Sequence, residues 1–266
     1  MADLNAYRQL VRAQVRSQMQ YRASFAIDLA GTAVVAFLDV AVILIVFRVT
    51  PSLGGFTLRE ALLVAALAGL GFNVADLCVG NIERIRLYVR TGLLDSILIR
   101  PRAVLAQLIL TDFTPRRVGQ AFQATVVFVV AAVLAPIDWT PAHAVLLLLS
   151  PFYGAVYFMG IFVGGATVAF YWIESGEFAN AFTYGGRTFS MYPVSIYSGL
   201  FRRVFAYGLG FAFVAYYPAL TLLGRLDPLG GPSWLGWCTP AVAAASAALG
   251  AVLWRTGIRH YRSSGS

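Results

Sequence analysis

The stretch NIERIRLYVRTGLLDSILIRPRAVLAQLILTDFTPRR, Asn81 to Arg117, lies between two long apolar runs and carries Arg84, Arg86, Arg90, Arg100, Arg102, Arg116 and Arg117. Arginine-rich loops beside membrane spans stay in the cytoplasm, because positive charge resists translocation. This loop therefore orients every apolar run around it. It also has structure of its own. Asn81 to Val89 reads as a short helix, Gly92 as a break and Leu93 to Ile99 as a second apolar turn. Pro101 suits the first position of a further helix carrying Val104, Leu105, Leu108 and Ile109 before Pro115. So long a folded element is unnecessary for joining two spans, and it marks the surface that meets a cytoplasmic partner.

Of 266 residues, 59% are apolar and 12% charged, and the mean hydropathy is +0.73. That balance predicts an all-α polytopic membrane protein, read as one transmembrane domain over 1–266. The first span runs from about Phe25 to Phe47, long enough at 1.5 Å per residue to cross a ~30 Å hydrocarbon core. The second runs from about Ala61 to Gly80, the third from Val118 to Ala135, and the fourth from Ala142 towards Phe170 with a break at Pro151. Gly160, Gly164 and Gly165 give that fourth run a small-residue face for close helix packing. The last runs from about Trp237 to Trp254. Ahead of them all, residues 1–24 space Leu4, Tyr7, Val11, Val15 and Met19 by three and four beside Arg8, Arg12, Arg16 and Arg22. This pattern predicts an amphipathic interfacial helix rather than a signal peptide.

Between Tyr171 and Leu223 two topologies are open. In one, Val204 to Leu223 is a full fifth span. In the other, Glu174 to Ser190 is a short polar crossing, followed by an outer re-entrant hairpin broken at Pro193 and Pro218. Both give six transmembrane helices with both termini cytoplasmic. Fourteen arginines then lie inside and Arg48, Arg59 and Arg225 outside, while Arg187, Arg202 and Arg203 depend on the choice.

All 20 basic residues are arginine. With no lysine, the chain lacks the residue that a P-loop or a Schiff base needs, so any ATP and magnesium would belong to a separate subunit. Cys78 and Cys238 fall near opposite membrane faces, too far apart for a disulfide, and read as buried inert residues. His143 and His260 form no cluster with metal-ligand spacing, and no metal site is expected. The net charge of +8 collects beside spans, which suits anionic lipid rather than nucleic acid. A carboxylate near the bilayer centre costs roughly 2.5–3.5 kcal/mol, so Asp39, Asp76, Glu174 and Glu177, with Asn73 one turn from Asp76, are candidates to line a path or to pair across helices. The aromatic residues between Phe152 and Tyr217 read mainly as packing and interfacial anchors. Nothing in the sequence resembles a hydrolytic or phosphotransfer constellation, and no enzymatic role is expected.

Three stretches carry a family likeness: YYPALTLLGRLDPLGGP (Tyr216 to Pro232), WRTGIRHYRSSGS (Trp254 to Ser266) and GLLDSILIRP (Gly92 to Pro101). With them the whole chain resembles the permease subunits of ATP-binding cassette type-2 exporters, in the branch of six-span permeases found in pairs. The resemblance implies a cytoplasmic coupling region over 81–117, its coupling helix within Asn81 to Pro101 docking on an ATP-binding subunit. By residue type, ionic contacts fall to Glu83, Arg84, Arg86 and Arg90, with Gly92 as the break and Asp95 and Arg100 holding the loop together. The competing reading is that these arginines only anchor to lipid. The resemblance further implies an outer gate hairpin around Pro193, Tyr197 and Pro218, and a second permease, related but different, completing the path. The expected function is export of a hydrophobic or amphipathic compound across the cell membrane. The alternatives are a proton-coupled transporter that relies on Asp39 or Asp76 and a membrane enzyme acting on lipid headgroups.

Overall fold

The apolar runs are helices in the computed structural model, which describes residues 22–101, 103–110, 114–172 and 174–261. There are no strands among these residues. The interfacial helix expected over 1–24 lies outside the described residues up to Arg22, where α1 (Arg22–Val49) begins. A two-glycine turn, Gly54 at φ +58° and Gly55 at φ +87°, joins α1 to α2 (Leu58–Val79), and Leu53 and Phe56 exchange both backbone hydrogen bonds across it. Positive φ at both central residues admits glycine with no Cβ penalty.

The arginine-rich loop folds as a turn over Gly80–Arg84 and three short helices, α3 (Ile85–Arg90), α4 (Leu93–Leu98) and α5 (Val104–Leu110). Gly92, at φ +70°, makes the break. The helix after Pro101 starts three residues later than the proline suggested. The chain then crosses in α6 (Pro115–Leu134) and returns in α7 (Pro141–Thr167), each with proline in its first turn. Pro151 does not break α7 as expected. The helix continues through it, with the Ser150 hydroxyl donating to the Leu146 carbonyl at 2.6 Å beside the interruption.

Five helical segments are long and apolar enough to span a membrane, and a bent pair would make a sixth. In order along the chain, α8 is Gly176–Ser190, α9 is Gly199–Arg202 running on into a wider turn to Gly208, α10 is Tyr216–Leu222 and α11 is Thr239–His260. The pair is Gly199–Gly208 with Phe211–Leu222, bent by 61°. Two contacts decide what it does. On its near side Ser195 Oγ donates to the Gly54 carbonyl at 2.7 Å, and on its far side Arg225 Nη2 donates to the Gly55 carbonyl at 2.9 Å. Both flanks are tied to one loop, so the segment enters and leaves at the same end of the bundle. It is a re-entrant hairpin, and Val204 to Leu223 is not a full span. The bend falls at Gly210, φ +85°, and not at Pro218, which sits in the first turn of α10 where a missing N–H is tolerated. The short polar α8 runs from the arginine-rich end to the hairpin end and is not among the segments long and apolar enough to span.

The core is α2 and α7, packed backbone to backbone. A Cβ added at Gly71 would stand 3.1 Å from the carbonyl carbon of Gly154. The glycine face of α7 does what its spacing predicted. Gly160 lies on the backbone of α11 at Ser246, and a Cβ at Gly250 would stand 2.6 Å from the Gly160 carbonyl oxygen. Ser246 Oγ also donates to the Tyr157 carbonyl at 2.9 Å. Helices α1, α6 and α11 surround this core and leave most of their apolar surface outward, where acyl chains are as apolar as leucine.

Candidate functional site

Two constellations stand at different depths of the bundle, and α8 touches both. The deeper is a partly open pocket among α1, α2, α6 and α8, with a cavity volume of about 80 Å³. Its walls are apolar, including Val40, Ile43, Leu70 and Val127, and its polar groups include Asp39, Asn73, Gln120, Gln123 and Arg187. Arg187 Nη2 makes an ion pair with Asp39 Oδ2, and its guanidinium lies 5.5 Å from the ring centre of Phe72. Asn73 Nδ2 donates to the Gly69 carbonyl one turn back, at 2.7 Å.

The sequence selected Asp39 and Asn73 but left the placement of Arg187 open between the two topologies. The structure sets Arg187 against Asp39, as the partner that a carboxylate within a span requires. A polar α8 running beside an α1 that carries an acid was the available signal. None of the aromatic residues between Phe152 and Tyr217 lines this pocket. They pack instead. Phe158 meets Phe72 edge to face, Phe162 lies tilted against it, and Phe211 of the hairpin rests on Gly186 of α8. Tyr197 stacks on Phe189 with ring centres 4.3 Å apart, and its hydroxyl donates to the Phe189 carbonyl. Pro193 opens the turn that leads into the hairpin, and Pro218 is buried within α10.

The shallower constellation sits at the arginine-rich end. Asp76 is buried and bonded to Arg117 Nε at 3.1 Å. The same guanidinium bonds Asn81 Oδ1, and Asn81 Nδ2 donates to the Ile109 carbonyl at 3.0 Å. One arginine thus ties α2, the turn after it, α5 and α6. Glu83 is half-buried and accepts from the Tyr184 hydroxyl of α8 at 3.2 Å, so it faces the bundle and not the outside. Arg86 lies directly over Gly176 at the start of α8, so a Cβ there would displace the guanidinium. Asp95 sits beside Tyr261, just past α11. Burial, and then the Asp95 carboxylate, push that phenol above its ordinary range.

Arg84, Arg90 and Arg100 are exposed, and so are the apolar side chains of Leu87, Leu93 and Ile99 between them. Glu174 and Glu177 are exposed near the start of α8, far from the pocket. Cys78 is exposed and Cys238 partly so, which corrects their reading as buried residues. Near the hairpin, Asp227 accepts from Tyr216 at 2.6 Å and from the backbone of Leu229 and Gly231. A carboxylate-organised turn therefore underlies the stretch Tyr216 to Pro232. No group of residues that could hold a metal ion occurs among the described residues.

A family model described as ABC-2 family transporter protein matches residues 33–265. The chain belongs to the ABC-2 family. Comparisons with curated proteins and with solved structures return no match. ABC-2 membership makes this chain a membrane-spanning transporter subunit, in a family whose permeases work with an ATP-binding subunit. Helices α2, α6 and α8 each contact both the pocket and the constellation at the arginine-rich end.

Proposed function

We propose that this chain is the permease of an ATP-driven exporter for an amphipathic substrate, with the arginine-rich end in the cytoplasm and both termini on that side. ATP and magnesium belong to the partner subunit, and a second, related permease faces the pocket. The surface of Leu87, Leu93 and Ile99 with Arg84, Arg90 and Arg100 suits a groove on the ATP-binding subunit, combining an apolar anchor with a charged rim. Arg84 and Arg86 remain coupling residues in this reading. Glu83 and Asp95 act inward, holding the lever to the bundle.

The main support is the spacing of Tyr184 and Arg187 on α8. These residues are one turn apart, the first bonded to Glu83 of the loop and the second to Asp39 of the pocket. A displacement of the loop by its partner pulls on the same rigid helix that shapes the pocket. ATP supplies the free energy by binding preferentially to the closed pair of nucleotide-binding subunits, and the permease converts that preference into outward opening. The proton-coupled alternative needs Asp39 or Asp76 as a proton carrier, whereas both are already engaged by arginine.

The test is affinity purification of the whole chain from its own host in mild detergent, with mass spectrometry of what accompanies it. An ATP-binding subunit is expected, and a second permease with it. Exchange of Arg84 and Arg86 for Glu is expected to release the ATP-binding subunit. Recovery of the chain alone, with transport surviving those exchanges, would overturn the reading.

A further inference from the structure

We infer that the pocket takes an amphiphile with an anionic head, received by Arg187, its tail lying along the apolar walls of α1, α2 and α6. This deepens the exporter reading and rests on it for the transport step, though not for binding. The ion pair in the pocket is itself unbalanced. Arg187 uses Nη2 on Asp39, while its Nε–H is buried without an acceptor among the described residues. The carboxylates that also have an unpartnered buried oxygen, Asp76 and Glu83, lie outside this pocket. The unmet demand in the pocket is therefore for an acceptor. A buried donor left unbonded costs free energy that an acceptor recovers once the guanidinium turns to present it, and charge-assisted bonds to arginine are the strong ones.

The surroundings agree with that sign. Asp39 and Arg187 are the charged residues lining the pocket, and the other polar groups there are neutral amides and a threonine hydroxyl, which accommodate a head without repelling it. Phe72 supports the guanidinium from the side. Asp39 then acts as a placeholder. It neutralises Arg187 when the pocket is empty and shares the guanidinium when an anionic head arrives, at the cost of a carboxylate without a full counter-charge. The asymmetry gives opposite signs for the two substitutions, which a merely structural ion pair would not.

The experiment measures binding to the purified permease in phosphatidylcholine nanodiscs by fluorescence anisotropy, without nucleotide. The probes are a fluorescent long-chain fatty acid, its methyl ester and the same chain ending in trimethylammonium. The fatty acid is expected to bind about ten- to a hundredfold more tightly than the ester, the factor one charge-assisted bond supplies. Arg187→Gln is expected to abolish that preference, and Asp39→Asn to strengthen fatty-acid binding by removing the competing carboxylate. If Arg187→Gln does not fold, Arg187→Gln combined with Asp39→Asn leaves no buried charge unpaired and is expected to bind acid and ester equally. Competition by phosphatidylglycerol added to the disc identifies a membrane lipid as the occupant, and its absence a free amphiphile, both with an anionic head. Tighter binding of the trimethylammonium probe, lost in Asp39→Asn, would overturn the inference, as would equal binding of acid and ester by the unmodified chain. The binding result is independent of whether an ATP-binding subunit co-purifies, so failure of the exporter reading and failure of this inference are separate outcomes.

Discussion

Arg117→Gln should be the most damaging single change at the arginine-rich end, and the structure sets how damaging. Asp76 and Arg117 are bonded at 3.1 Å with side-chain exposures of 10% and 14%. Removing one member of a buried pair leaves the other uncompensated and costs about 3–5 kcal/mol, whereas removing both costs far less. Asp76→Asn with Arg117→Gln should then cost about 1 kcal/mol, mainly for one altered hydrogen bond. The bond from Arg117 to Asn81 is altered equally in both variants and cancels in the comparison. At roughly 2–4 °C per kcal/mol for a chain of this size, the single change should lower the unfolding midpoint by about 6–20 °C. The double change should lower it by about 2–4 °C. The assay is thermal unfolding of purified protein in lipid nanodiscs, followed by intrinsic tryptophan fluorescence. Equal losses in the single and double variants would refute the reasoning, because Asp76 would then have no dependence on Arg117.

Three further outcomes are expected. Gly250→Val should separate α7 from α11, since a Cβ there already meets the Gly160 carbonyl oxygen at 2.6 Å, and it should lower yield and thermal stability more than Gly31→Val, which meets nothing. Arg225→Gln should free the hairpin, because Arg225 bonds Glu60 at 2.6 Å and the Gly55 carbonyl; Ser195→Cys should then react several-fold faster with a maleimide, and an unchanged rate would count against the latch. In whole cells of a variant lacking Cys78 and Cys238, an impermeant maleimide should label Ser195→Cys and spare Thr91→Cys. The reverse pattern would invert the proposed orientation.

The apolar runs, the glycine break at Gly92 and the small-residue face of Gly160, Gly164 and Gly165 are all legible in the sequence. They depend on period, length and backbone freedom, which are local properties of a helix in a membrane. The re-entrant topology is legible there as an alternative, though with its bend at Pro218, whereas Gly210 makes it. Proline marks where a helix loses a hydrogen bond, but in the first turn there is none to lose. Likewise Pro151 reads as a break, whereas α7 runs on through it with the neighbouring Ser150 hydroxyl bonded to the Leu146 carbonyl.

Composition and periodicity by themselves determined an all-helical membrane chain, the clustering of its arginines beside the spans, and a folded loop between two of them. Only the tertiary structure decided which charges meet. Asp39 finds Arg187 across 148 positions and Asp76 finds Arg117 on another helix, pairings set by how helices pack and not by any spacing along the chain. The same holds for the hairpin, whose two flanks become one end of the bundle only when both reach the Gly54 and Gly55 turn. The hydrophobic cost of exposing a span acts residue by residue and is written in order, whereas the partner of a buried charge is set by distance in three dimensions.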